Sequence, residues 1–247
     1  MTPTDALLDR FLTGLAPLAP VAVWAHGSLA GGDYQEGRSD LDLIAVLKRP
    51  VTARTAWRVG VLHAGLRGAP RADRLHCTYL TPATAAGAAR RHLTWAHGRL
   101  LRRPVTPVAR RELHGFGRVL HGARPAGLLP PVPDEELAGF VVRDQRDFWR
   151  PAVRRPHLWR QEVWVDMGLL TFARATVTVR ENRLVSKREA LAELPGLGAP
   201  GAVVEDIRRR RYGDPAPPTG EWTARRAELT RAYLGPAIDA LVASYDG

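Results

Sequence analysis

Two carboxylates stand two residues apart at the entrance to an apolar run, in Ser39-Asp-Leu-Asp-Leu-Ile-Ala-Val-Leu47. On a β-strand alternate side chains share a face, so Asp40 and Asp42 would project together. Like charges this close call for a cation between them. Hard oxygen ligands suit Mg2+, which takes one or two carboxylates and fills its shell with water and substrate phosphates. Upstream, Gly27-Ser28 closes a second apolar run at residues 21–25. Glycine there lets the backbone approach a triphosphate closely, and Ser28 offers a hydroxyl. The turn that follows can aim N–H groups at anionic oxygens. Ser39 is a further phosphate donor. Such parts serve metal-assisted displacement at phosphorus.

These groups need rigid elements to hold them. Residues 41–47 read as a strand carrying one embedded acid, residues 21–25 as a short buried strand, and 75–80 as a third. The glycine-rich stretch 26–40 reads as a loop with one helical turn. Leu7, Leu8, Phe11, Leu12 and Leu15 recur at helical spacing behind a cap at Thr4, with Pro17 and Pro20 ending the helix. Residues 52–66 and 82–91 are also expected to be helical. Alternating strands and helices imply a mixed α/β sheet.

Leu128-Leu-Pro-Pro-Val-Pro133 cannot continue a helix and marks a boundary. Beyond it, residues 134–149, 157–180, 186–194 and 221–243 carry helical patterns, and strand signals are scarce. Ser186-Lys-Arg-Glu189 forms a capping box. The expectation is an α/β domain over 1–131 and an all-α domain over 132–247.

The chain has 247 residues, 45% of them apolar, enough for a sizeable core. No window reaches eighteen uninterrupted apolar residues, so no membrane span is expected. The start lacks a basic segment followed by an apolar stretch, as a secretory signal would have. The single cysteine, Cys77, excludes an internal disulfide, and on an apolar strand it reads as a buried core thiol. A cytoplasmic location fits. The net charge of +11 comes with only two lysines, Lys48 and Lys187, in an arginine-rich chain. General compositional bias accounts for most of the excess. An anionic partner is the functional reading, and a polycationic ligand is disfavoured either way.

Together, His26-Gly-Ser28 and Ser39-Asp-Leu-Asp-Leu43 resemble the signature of the DNA polymerase β-like nucleotidyltransferase superfamily. In the second half, Leu169-Leu-Thr-Phe-Ala-Arg174 with Arg183-Leu-Val-Ser-Lys187, and Pro131-Val-Pro-Asp-Glu-Glu-Leu137, resemble AadA-type aminoglycoside adenylyltransferases. The order holds from about residue 20 to 235. The resemblance implies an N-terminal nucleotidyltransferase domain, a mixed sheet flanked by helices, followed by a helical domain. It implies transfer of AMP from MgATP to a hydroxyl of a small molecule, with release of pyrophosphate. Asp40 and Asp42 would hold Mg2+, Gly27, Ser28 and Ser39 the phosphates, and Arg174 and Lys187 the nucleotide.

The sequence departs from that family at two points. Where drug-modifying members carry a glutamate base on the third strand, Leu75-His-Cys-Thr-Tyr79 places His76. A histidine can serve as general base, or it can mark a site that has lost its base. Asp73 would lie on the opposite strand face. Where those members gather acids around a cationic drug, this chain reads Arg154-Arg-Pro-His-Leu-Trp-Arg160, with Glu162 and Asp166 beyond. The expected acceptor is therefore neutral or anionic rather than a classical aminoglycoside. Trp149, Trp159 and Trp164 read as packing residues. Two alternatives stay open: a nucleotide-binding homologue without turnover, and an RNA-modifying nucleotidyltransferase. The second is the weaker, for no aromatic-basic motif accompanies the charge.

Overall fold

The structure is a computed structural model that describes residues 2–87, 90–214 and 217–246. The chain divides into two compact units, Met1–Val132 and Pro133–Gly247.

The first unit opens with helix α1, Pro3–Leu15, which buries Leu7, Leu8, Phe11 and Leu15. Its cap is Thr2 rather than Thr4. Pro3 occupies the first helical position, where proline is favoured, so the cap falls one residue before it. Thr2 and Asp5 close a capping box, while the buried Thr4 hydroxyl bonds Tyr34 at 2.7 Å and Glu36 at 2.8 Å. Strand β1, Pro20–His26, leads into a single turn α2, Gly27–Ala30. Next come β2, Leu41–Leu47, helix α3, Ala53–Leu66, and β3, Leu75–Leu80. Strands β2 and β3 are parallel, which requires a crossover, and α3 provides it.

The helix expected over 82–91 is only one turn, α4, Pro82–Ala85. Arg91 already opens a strand, and Ala88 and Ala89 lie outside the described residues. That strand is β4, Arg91–Ala96. It pairs with β5, Arg99–Pro104, through a hairpin whose two central residues, His97 and Gly98, both have positive φ. Helix α5, Pro107–Phe116, and strand β6, Arg118–Gly122, complete the unit. The sheet order is β5-β4-β3-β2-β1-β6, and apart from β2–β3 every pair is antiparallel.

Alternation along β2 divides the core. Leu41, Leu43, Ala45 and Leu47 pack with α1 and α3 residues on one face. Ile44 and Val46 pack with Trp24, Leu80 and Leu113 on the other. Asp42, two residues before Ile44, shares the second face and lies where apolar packing gives way to an open cleft.

The second unit is helical. Helix α6, Asp134–Asp144, runs through a π-helical segment, Gln145–Trp149, into α7, Arg150–Val153. The stretch expected as one helix over 157–180 is two: α8, Pro156–Trp159, and α9, Glu162–Glu181, broken where Gln161 takes extended backbone. Asn182, left-handed at φ 53°, ends α9. Then follow α10, Lys187–Glu193, α11, Gly201–Tyr212, and α12, Gly220–Asp246. The sequence pattern does not predict helix α11. Its buried Val203, Val204 and Ile207 precede four consecutive arginines that mask the pattern. Among the described residues no helix is long and apolar enough to cross a membrane.

Candidate active site

Strand register sets the site. His26 pairs with Asp42 across β1–β2, and Asp42 pairs with His76 across β2–β3. Three polar side chains thus form one row on one sheet face. His76 Nδ1 lies 3.5 Å from Asp42 Oδ1. The other carboxylate oxygen of Asp42 faces Gly27. A Cβ at Gly27 would stand 3.0 Å from Asp42 Oδ2, and Gly27 holds φ at +61°, a conformation that favours glycine. The Gly27 position is therefore set by close approach as well as by backbone.

Behind this row sits Glu112 of α5, a buried acid that the sequence reading missed. Its Oε2 accepts from the Gly27 N–H at 3.1 Å and lies 3.0 Å from His26 Nδ1. Burial disfavours the charged His26 ring. The hydrogen bond to Glu112 and the Asp42 and Glu112 charges outweigh it, so the pKa of His26 is raised. Thr106, which caps α5, and Pro107 behind it are a sequence signal for this helix. No local signal pairs Glu112 with residues 86 positions away.

Asp40 precedes β2, and its Oδ1 lies 3.4 Å from Arg74 Nη1. Asp40 and Asp42 are both half exposed, with side chains 42% and 38% accessible. Half-open carboxylates are the oxygen donors that suit Mg2+, and Gly27 leaves room beside Asp42. Among the described residues no three His, Cys, Asp or Glu side chains converge on one point. Magnesium does not require such a cage, because substrate phosphates complete its shell. Asp73 lies in a 3₁₀ turn, Ala72–Arg74, rather than on the opposite face of a strand.

The phosphate candidates differ in placement. The Gly27 N–H is engaged by Glu112. The Ser28 hydroxyl has no hydrogen-bond partner among the described residues. Ser39 is buried, and its Oγ accepts from the Gln35 N–H at 3.0 Å, a position that shapes the loop.

The cleft over this face has a volume of about 160 Å3. His26, Asp42, His76, Thr78 and Thr94 line its floor, and Arg103, Thr106 and Ala109 its wall. Thr78 and Thr94 hydroxyls lie 3.0 Å apart. The His97 ring packs edge-on against His76, with centroids 4.6 Å apart. Burial lowers the His97 pKa, and the neighbouring His76 and Arg103 lower it further.

In the second unit, Arg174 of α9 donates from Nε to Val185 O at 2.8 Å. That bond ties Arg174 to the segment from which Lys187 begins α10. The Ser186 capping box forms as the sequence indicates. Arg154, Arg155, His157 and Arg160 are exposed. The acids nearest them in sequence are engaged: Asp166 pairs with Arg210 at 2.6 Å and Glu162 with Arg226 at 3.4 Å. Trp159 is fully buried and donates to Ala152 O, and Trp149 donates to Asp144. Both are packing residues.

No family model matches the chain, and no curated protein matches it in sequence. Among solved structures it is similar to spectinomycin adenyltransferase AAD(9) from Enterococcus faecialis, which was crystallised with ATP and spectinomycin. The TM-score is 0.73 at 13% identity, over 95% of this chain and 99% of that one. The chain therefore shares the fold of that structure, a mixed sheet with flanking helices and a helical second half.

Proposed function

We propose that this protein transfers a nucleoside monophosphate, AMP from ATP, to a hydroxyl of a small molecule and releases pyrophosphate. The observation that carries this reading is the Asp42 carboxylate of β2, set between Gly27, the residue that follows β1, and His76 on β3. The AadA-type resemblance of the sequence supports it.

Asp40 and Asp42 would hold Mg2+. When bound, the metal offsets triphosphate charge and polarises the α-phosphoryl group. The Ser28 hydroxyl donates to phosphate oxygens, Gly27 gives clearance, and Ser39 holds the loop that leads into Asp40. Arg174 and Lys187 are assigned to the nucleotide, as the resemblance implies. His76 takes the proton of the acceptor hydroxyl as its oxygen bonds the α-phosphorus. The bond between the α-phosphorus and the bridging oxygen breaks, and pyrophosphate leaves with that oxygen. Positioning and charge placement do most of the work in such transfers.

The test is pyrophosphate release from ATP and Mg2+ across a panel of hydroxyl compounds, alongside calorimetry with a non-hydrolysable ATP analogue. Metal-dependent analogue binding together with acceptor-dependent release supports the reading. Absence of nucleotide binding refutes it. Binding without release under any acceptor would favour the homologue without turnover.

A further inference from the structure

The cleft beside Asp42 also constrains the acceptor. Asp42, the proposed metal ligand, is the one acid lining it among the described residues, while Arg103 stands on its wall. Arg103 is exposed, and its guanidinium has no hydrogen-bond or ion-pair partner among the described residues. A free arginine at a cleft wall is a ready fork for a carboxylate or phosphate. Thr78 and Thr94 add hydroxyls beside it.

Sheet order places Arg103 on the β3 side of Asp42, away from Gly27 and Ser28. Gly27 and Ser28 follow β1, Asp42 lies on β2, His76 on β3, and Arg103 on β5. The order β5-β4-β3-β2-β1 places β1 and β5 on opposite sides of the Asp42–His76 pair, four strand spacings or about 19 Å apart. In-line displacement at phosphorus puts the leaving group and the entering hydroxyl at opposite ends. With phosphates on the β1 side, the entering hydroxyl comes from the β3–β5 side, where Arg103 waits.

We infer that the acceptor carries an anionic oxyacid group, a carboxylate or a phosphate, bound by Arg103 while its hydroxyl faces His76. This rests on the nucleotidyl-transfer reading and adds the acceptor class to it. A cationic drug would meet an unpaired guanidinium at the same wall.

The test uses the full chain with Mg2+ and a non-hydrolysable ATP analogue. Backbone NMR follows the amides of Thr78, Thr94 and Arg103 during titration with three matched pairs of probes: gluconate against glucosamine, glycerate against 3-amino-1,2-propanediol, and glycerol phosphate against glycerol. The first two pairs report a carboxylate and the third a phosphate. The expected result is saturable shifts with the anionic members only, weakened at least tenfold in Arg103→Gln and partly restored in Arg103→Lys. Affinity for the ATP analogue should stay within twofold. Equal or tighter binding of neutral and cationic members overturns the inference. So does an anion response unchanged in Arg103→Gln, or no response to any anion up to 10 mM (a concentration on the order of ten times a millimolar affinity). Failure of the ATP analogue to bind would instead overturn the underlying reading.

Discussion

The imidazole Nδ1 of His76 lies 3.5 Å from Oδ1 of Asp42, at paired positions of two parallel strands. A parallel pair holds its two side chains on one face without a turn between them, so the contact is built into the sheet. His76 lies toward one oxygen of Asp42 and Gly27 toward the other. The group that would receive a proton thus stands beside the group that would hold the metal, and the geometry ties the chemistry to three residues whose exchange can be tested one at a time.

Replacing the acids should remove turnover while leaving the fold intact. Asp40→Asn and Asp42→Asn exchange half-exposed groups for shapes of equal size, so stability should change by no more than about 1 kcal/mol. Loss of metal charge stabilisation should lower the rate of pyrophosphate release roughly a hundredfold or more. Rates and thermal melts would be measured on the same preparations. Retained turnover in the double variant would show that the metal lies elsewhere.

His76 can be separated from nucleotide binding. His76→Ala should lower kcat roughly a hundredfold or more and leave the affinity for Mg2+ and an ATP analogue nearly unchanged. His76→Glu should keep part of the activity, since a carboxylate at that position can also accept a proton. Calorimetry beside steady-state rates distinguishes the outcomes. An equal fall in nucleotide affinity and kcat would assign His76 to binding instead.

What was legible in the sequence was local. Asp40, Asp42 and the apolar run behind them define β2 without outside help, and Ser186 with Glu189 spells its own cap. Long-range partners left no such trace. Glu112 reaches His26 across 86 positions, and nothing in Arg110-Arg-Glu112-Leu marks that acid as buried. Strand β5 was hidden for another reason. Four of its six residues are arginine or proline, as befits an edge strand, and that composition erases the apolar alternation. The hairpin signal was present in His97-Gly98, where glycine supplies one of the two positive φ values. Arg103 therefore became visible as a site residue only once the strand order was known.

Gly27 should not tolerate a side chain. At φ +61° a Cβ costs about 1–2 kcal/mol by itself, and it would also stand 3.0 Å from Asp42 Oδ2. Gly27→Ala should therefore lower both stability and kcat, with Asp42 pushed from its place. Gly32, also at positive φ but with nothing within 4 Å of a Cβ, is the control. Gly32→Ala should share the backbone cost and keep its kcat. Equal kcat losses at both positions would argue against a special role for the Gly27–Asp42 approach.

Glu112→Gln should weaken the site from behind. The variant keeps the size of the buried group but removes the charge that faces His26 Nδ1 and the Gly27 N–H. Hydrogen bonds to charged groups contribute about 1.5–3 kcal/mol, so a loss near the lower end is expected in chemical denaturation. Because Gly27 carries the approach to Asp42, kcat should fall with stability. Glu112→Ala should cost more, leaving two donors without an acceptor. A Glu112→Ala variant as stable as the parent would show that the buried pair contributes nothing.

The last prediction concerns the opposite face of the sheet and acid stability. His63 of α3 is buried, its Nε2 lies 2.7 Å from the Tyr79 hydroxyl, and its ring stacks on Trp95 with centroids 4.6 Å apart. Burial lowers its pKa from 6.5 to about 3. The folded protein keeps this ring neutral while the unfolded chain protonates it below pH 6.5. The unfolded state then binds more protons, so stability falls as pH drops from 6.5 toward 3 and is unaffected by this group above 6.5. The slope is about 1.4 kcal/mol per pH unit, or about 2 kcal/mol lost by pH 5. His63→Gln keeps a polar partner for Tyr79 and removes the titration. Urea unfolding at pH 7.5 and pH 5 should therefore show the parent losing about 2 kcal/mol more than the variant over that interval. Parallel losses in the two proteins would mean that His63 titrates normally and that the acid sensitivity arises elsewhere.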